Sequence, residues 1–136
     1  NGRIYGKLYN WYAVNDARSL APEGWHIPSD EEWTTLTDYL GGEEFAGDKM
    51  KTIGTSYWKT PNEGVNNESA FSALPGGIRN YYGSFSKLGG YALFWSATEF
   101  DNFNARYYLL SSNLSLVVRS NGISKSVGAS VRCIRD

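Results

Sequence analysis

The change of punctuation at Gly54 constrains this chain more than any other feature. From there onward Gly, Asn, Ser and Pro recur every few residues, which leaves room for short strands and long loops. Before it lies a segment with a full helix signature. Ser29 suits an N-cap, Glu32 three residues later completes a capping box, and Asp30, Glu31 and Glu32 put negative charge where the helix dipole favours it. Trp33, Leu36 and Leu40 recur at helical spacing and are predicted to face the core. Gly41-Gly42 ends the helix. A second, shorter helix is predicted near Glu43–Thr52, with Phe45 and Met50 inward. Residues 4–14 are rich in aromatics and read as extended structure or a short helix. Asn15 to Gly24 reads as a loop containing Pro22.

In the later part, Ala92–Ser96 reads as a strand, and Phe71–Gly77 as a tight, glycine-bearing turn. Arg106–Leu110 and Ser115–Arg119 read as two strands joined by Ser111-Ser-Asn-Leu114. Asn121-Gly122 carries a strong hairpin-turn signal, and Ser130–Ile134 reads as a final strand. Helices first and antiparallel strands after them predict an α+β fold. A length of 136 residues suits one domain spanning residues 1–136.

Composition narrows the chemistry. The formal net charge of −1 gives no overall pull toward nucleic acid or an anionic membrane. No apolar run approaches the ~18–20 residues of a membrane span, so direct membrane insertion is not expected. The chain begins abruptly inside a patterned segment, as an excised piece would. Cys133 is the single cysteine, which excludes an intrachain disulfide and a cysteine-based zinc site. It is expected to be a buried small hydrophobe in a strand. His26 is the single histidine, and no nucleophile or orienting acid is identified beside it, so a structural role is expected. Thr60-Pro-Asn-Glu63 and Asn66-Asn-Glu68 offer oxygens of the kind calcium prefers, but only Glu63 and Glu68 bring charge. No catalytic residue, metal ligand or cofactor is therefore assigned.

Four segments carry a family resemblance when taken in order. They are Leu8-Tyr-Asn-Trp-Tyr-Ala-Val14; Gly24-Trp-His-Ile-Pro-Ser-Asp-Glu-Glu-Trp-Thr-Thr-Leu36; Asn67-Glu-Ser-Ala-Phe-Ser-Ala-Leu-Pro-Gly-Gly77; and Trp95-Ser-Ala-Thr-Glu99 with Ser130-Val-Arg-Cys-Ile-Arg-Asp136. Together they resemble the Fibrobacter succinogenes major paralogous domain of bacterial surface lipoproteins, common in Bacteroidetes. The resemblance implies a C-type-lectin-like fold, with two helices packed on a twisted antiparallel sheet, long loops and neighbouring termini. It also implies export to the cell surface and a family N-terminal portion that extends further upstream. The family is similar to the variable proteins of diversity-generating retroelements, which implies that residues 101–127 face a ligand. Its fold is shared with sulfatase-modifying enzymes, but their paired cysteines have no counterpart here. The Glu-Pro-Asn or Gln-Pro-Asp triplet of calcium-dependent sugar-binding lectins is absent too.

The expected function is a non-catalytic recognition or adhesion domain for a protein or glycan ligand. The alternatives are a structural module of a surface lipoprotein and, less favoured by the residues, a sulfatase-modifying-like enzyme. The expected contacts are Asn102, Phe103, Asn104, Arg106, Tyr108, Ser112, Asn113, Arg119, Asn121, Ile123 and Lys125, a mixture of aromatic, amide and basic groups suited to recognition. Period-2 alternation in strand 105–110 separates Ala105, Tyr107 and Leu109 from Arg106, Tyr108 and Leu110. Because arginine disfavours burial, Arg106 and Tyr108 are predicted to point outward.

Overall fold

A computed structural model describes residues 1–136. Four helices are present: α1 (Gly2–Tyr5), α2 (Trp11–Val14), α3 (Asp30–Tyr39) and α4 (Glu43–Met50). The strands are β1 (Trp25–His26), β2 (Ile78–Arg79), β3 (Phe85–Ser86), β4 (Tyr91–Glu99), β5 (Asn104–Ser111), β6 (Val118–Ser124) and β7 (Ile134–Arg135). They pair as β1–β7, β2–β3 and the three-stranded antiparallel β4–β5–β6 sheet. The fold is α+β, as the sequence predicts.

The longer helix forms where its caps demand. The Ser29 hydroxyl accepts from the Glu32 N–H and the Glu32 carboxylate accepts from the Ser29 N–H, closing the capping box. At the other end the Gly41 and Gly42 N–H groups bond back to the Asp38 and Thr37 carbonyls.

Strands β4 and β5 of the three-stranded sheet are covered on both faces. Ala92 and Phe94 of β4 and Tyr108 and Leu110 of β5 join Trp33, Leu40, Met50 and Trp58 in one core cluster. The intervening residues Leu93, Trp95 and Ala105 pack on Trp11, Val14, Ile27, Val127 and Ala129 in a second. The alternation in β5 is therefore correct, but neither face is outward. Tyr108 is 1% exposed, which corrects the outward assignment. Phe45 is also corrected: it is exposed, whereas Met50 is buried. Helix α4 turns Ala46, Gly47 and Met50 inward instead.

Gly47 explains that orientation. A Cβ there would sit 2.3 Å from the Ser115 carbonyl oxygen, so α4 lies directly on the loop between β5 and β6. The Asp48 N–H donates to Ser115 and the Val117 N–H donates to Glu43 across the same contact. The start of that loop is held by buried Lys51, whose Nζ donates to the carbonyls of Ser111 (3.0 Å) and Leu114 (2.8 Å).

The other strand expectations shift in detail. The loop from β5 runs through Val117, so the next strand begins at Val118, not Ser115. Asn121-Gly122 is no hairpin turn but lies inside β6. Tyr107 pairs with Ser120 and Ala105 with Ile123, so β6 carries one extra residue there, a β-bulge. Gly122 has φ +147°, and a Cβ would lie 3.0 Å from that of Asn104, so only glycine suits the bulge. Of the expected final strand Ser130–Ile134, only Ile134 lies in a strand, β7, which runs on to Arg135. Cys133 is half-buried outside it, and burial pushes its thiol pKa up.

His26 joins β1 to its surroundings, with Nε2 2.8 Å from Glu32 and Nδ1 2.6 Å from Asp136. The Asp136 hydrogen bond and then that of Glu32 raise its pKa above 6.5. The stabilisation from this cation is fully present below about pH 6.5 and is lost as the pH rises through the raised value. The urea midpoint should therefore fall slightly between about pH 6 and pH 9. His26→Gln should flatten that slope; an unchanged slope would refute the assignment. Gly47→Ala should destabilise by about 1–3 kcal/mol in urea unfolding, although alanine ordinarily favours a helix interior.

Candidate functional site

The helix cap that starts α3 also builds the centre of the candidate site. Asp30 is its first helical residue, and its backbone N–H donates to the Thr98 hydroxyl at the end of β4 (2.9 Å). Its buried carboxylate points across to β5 and β6. Arg119 donates through Nε at 3.0 Å and closes a second, very short contact through its terminal nitrogen. The Tyr108 hydroxyl donates to the same carboxylate at 2.8 Å, and Arg106 lies 3.7 Å away. Arg119, above all, holds Asp30 below the ordinary carboxylate range. Burial, chiefly, pushes Tyr108 up to about 12. Arg119 is raised further still by its bond to Asp30.

Arg106 and Tyr108 therefore do not point outward as expected. A guanidinium and a phenol can enter a helix–sheet interface when one carboxylate meets both. Tyr108 is therefore a core residue and presents no atom to a ligand. Its ring stacks on Trp33, with centroids 4.9 Å apart.

Lys125 needs the same correction. It is 4% exposed; its Nζ contacts the Glu99 carboxylate, donates to the Asn102 carbonyl (3.0 Å) and lies 4.9 Å from the Trp11 ring centroid. It braces the loop between β4 and β5 from beneath. Val127, in the stretch expected to face a ligand, is buried as well.

The remaining expected contacts divide between two ends of the hairpin. An eight-residue strand spans about 25 Å. Ser112 and Asn113 therefore stand at one end, and Asn102, Phe103, Asn104, Arg106 and Asn121 near the other. The structure does not bring all of them together. Ile123 is half-buried against the second core cluster and contributes little surface.

The end that holds more of them has a defined form. Asp101 accepts from the N–H groups of Phe103 (2.7 Å) and Asn104 (2.8 Å) and from the Asn104 amide. The Asn104 carbonyl in turn accepts from Phe100 and Asp101, and the Phe103 carbonyl accepts from Lys125. Those bonds fix a tight loop that thrusts Phe103 outward, 78% exposed. Phe100 lies beneath the Arg106 guanidinium at 5.4 Å. The polar groups of the loop are satisfied internally, and the ring it presents is not covered.

Asp30, Glu99 and Phe100 were not among the expected site residues. Three acids at the start of α3 read as dipole complements, yet one of them turns inward. The signal available was Arg119, a strand arginine with no acid within ten residues of it in sequence.

Of the oxygens considered for calcium, those of Asn66, Asn67 and Glu68 have partners within the chain, whereas the buried Asn62 side-chain oxygen has none. Asn66 accepts from the Glu68 N–H, Asn67 bonds both ways with Ser72, and Glu68 lies 3.4 Å from Lys49. The Asn62 amide donates to the carbonyls of Thr52 and Gly54. No group of three or more His, Cys, Asp or Glu side chains is placed to hold a metal ion.

Asp30→Ala should cost about 2 kcal/mol in urea unfolding, since it strands the Tyr108 hydroxyl and releases two half-exposed arginines. Tyr108→Phe should cost about 1 kcal/mol. The Asp30 contribution is present above its ordinary pKa of 3.8 and is lost as the pH falls through the lowered value. The stability difference between wild type and Asp30→Ala should therefore shrink in acid.

Neither a curated protein nor a solved structure matches the chain. A family model does, over residues 1–135, nearly the full length on which these helices, strands and braces are built. The chain belongs to the Fibrobacter succinogenes major domain family.

Proposed function

We propose that this domain is a non-catalytic recognition module, which binds a protein or glycan ligand at the cell surface through the loop between β4 and β5 and the adjoining edge of β5–β6. The observation that carries the reading is Phe103: a large apolar ring, almost wholly exposed, on a loop held by side-chain and backbone hydrogen bonds. A rigid aromatic anchor loses little freedom on binding, and such anchors dominate contact energies. Arg119 and Asn121 are exposed on β6 and Asn102 is exposed beside Phe103, so polar contacts can ring the anchor. The contact set is thus Asn102, Phe103, Asn104, Arg106, Arg119 and Asn121, with Phe100 added.

The placement of the reactive groups favours binding over catalysis. Both ring nitrogens of His26 are engaged by carboxylates. The Cys133 thiol is half-buried, with a raised pKa. A C-type-lectin-like arrangement is part of the same reading. It is supported by α3 and α4 on one face of the sheet, by the long loop region between α4 and β4, and by the pairing of β1 with β7 and Tyr9 with Ala129.

The test is a screen of glycans and cell-surface proteins with the wild-type domain, repeated with variants. Phe103→Ala should weaken the ligand found by at least about tenfold while changing stability by less than about 0.5 kcal/mol. Tyr108→Phe should leave affinity unchanged, since that hydroxyl is internal. A blank screen would favour a structural module instead.

A further inference from the structure

A second concavity of quite different chemistry lies elsewhere on the molecule. It has a volume of about 830 Å³ and opens between the N-terminal segment, Lys59 and the β2–β3 hairpin. It shares no lining residue with the Phe103 loop. Lys7, Lys59, Arg79 and Lys87 line it, and no aspartate or glutamate does.

That concentration is not a consequence of overall charge, because the chain has 13 Lys and Arg against 14 Asp and Glu. Six cations elsewhere are matched, since Arg18, Lys49, Lys51, Arg106, Arg119 and Lys125 each have a carboxylate within 4.0 Å; Arg3, Arg132 and Arg135 have none but do not line this cavity. The four around the cavity have none. Like charges gathered at a concavity repel one another and focus a positive potential into it, which an anionic ligand relieves.

The frame beneath these side chains is fixed. Arg79 exchanges both backbone hydrogen bonds with Gly128 (2.9 and 2.8 Å). The Lys59 N–H donates to Gly89 at 2.7 Å, which ties that segment to the hairpin, and the Lys87 carbonyl accepts from Gly90 and Tyr91. Phe85 contributes a ring that is 74% exposed, and Tyr5 adds a second aromatic wall. A flat apolar ring beside cations matches a pyranose with an anionic substituent: its C–H face lies on the ring while its carboxylate or sulfate meets Lys or Arg. The volume falls within the range of ligand sites, at the upper end, and admits more than one sugar unit.

We propose that this cavity is a second binding site, which takes an acidic oligosaccharide bearing carboxylate or sulfate groups. Arg79 offers the bidentate fork suited to either anion, and Lys7, Lys59 and Lys87 act as point charges around it. The site is independent of the Phe103 loop and does not rest on that reading.

Calorimetric titration with a galacturonate tetramer and a heparin-derived tetrasaccharide, beside neutral cellotetraose and a hexaglutamate peptide, tests it. At least one acidic saccharide should bind, its affinity should fall as salt rises, and cellotetraose should not bind. Arg79→Gln with Lys87→Gln should lower that affinity at least tenfold, and Phe85→Ala severalfold; circular dichroism verifies that each variant is folded. Arg18→Gln, which removes one positive charge elsewhere, should leave it unchanged. In a Phe103→Ala background the saccharide should still bind. The proposal is overturned if neither acidic saccharide binds, if hexaglutamate binds as well as they do, if the double variant binds like wild type, or if Phe103→Ala abolishes binding.

Discussion

One carboxylate joins the helical half of this domain to its sheet. Asp30 stands where the chain passes the Ser29 cap and enters α3, and it meets Tyr108, Arg119 and Arg106 on two neighbouring strands. The helix start and the strand register are thereby tied to each other. A slip of β5 by one residue would remove the Tyr108 hydroxyl from Asp30 and turn its ring away from Trp33. The Lys125 contact with Glu99 does parallel work at the end of β4, where the Asn102 carbonyl caps the same ammonium. Two buried or half-buried ion pairs thus flank the sheet end from which the Phe103 loop projects.

What could be read from the sequence was local. The capping box, the Gly41-Gly42 stop and the alternation of β5 depend on residues within a few positions of one another, and the structure reproduces each. What could not be read depended on partners far along the chain. Tyr108 and Arg119 meet an acid 78 and 89 residues earlier. Alternation says which residues share a face, but whether that face is covered depends on a layer built from distant sequence. With α3 on one side and the Trp11–Ile27 region on the other, both faces of β5 are covered, and the rule that arginine points outward loses its premise. Asn121-Gly122 fails differently. Its glycine does adopt a positive φ, but inside a strand, because the loop between β5 and β6 had already closed against α4 at Gly47.

These corrections change the character of the candidate site rather than remove it. Tyr108 and Lys125 leave the proposed contact surface and become parts of the frame beneath it. Asp101 fixes the loop, Gly122 permits the bulge beneath it, and Phe100 fills the space between them, 3.1 Å from where a Cβ at Gly122 would lie. A loop ordered before binding need not lose that freedom when a partner arrives, so the exposed Phe103 ring can contribute most of its burial to affinity.

The same charge pairing separates the two surfaces by mechanism. Around the Phe103 loop the cations are answered within the molecule: Arg106 and Arg119 by Asp30, Lys125 by Glu99. Contact there gains from apolar area and local hydrogen bonds, which salt screens weakly. Around the cavity between β2–β3 and the N-terminal segment, four cations have no carboxylate partner, and attraction to an anion there is Coulombic and exposed. It weakens over a Debye length of about 10 Å at 0.1 M salt and further as salt rises. Salt dependence is therefore the property that assigns a bound ligand to one surface or the other, before any residue is changed.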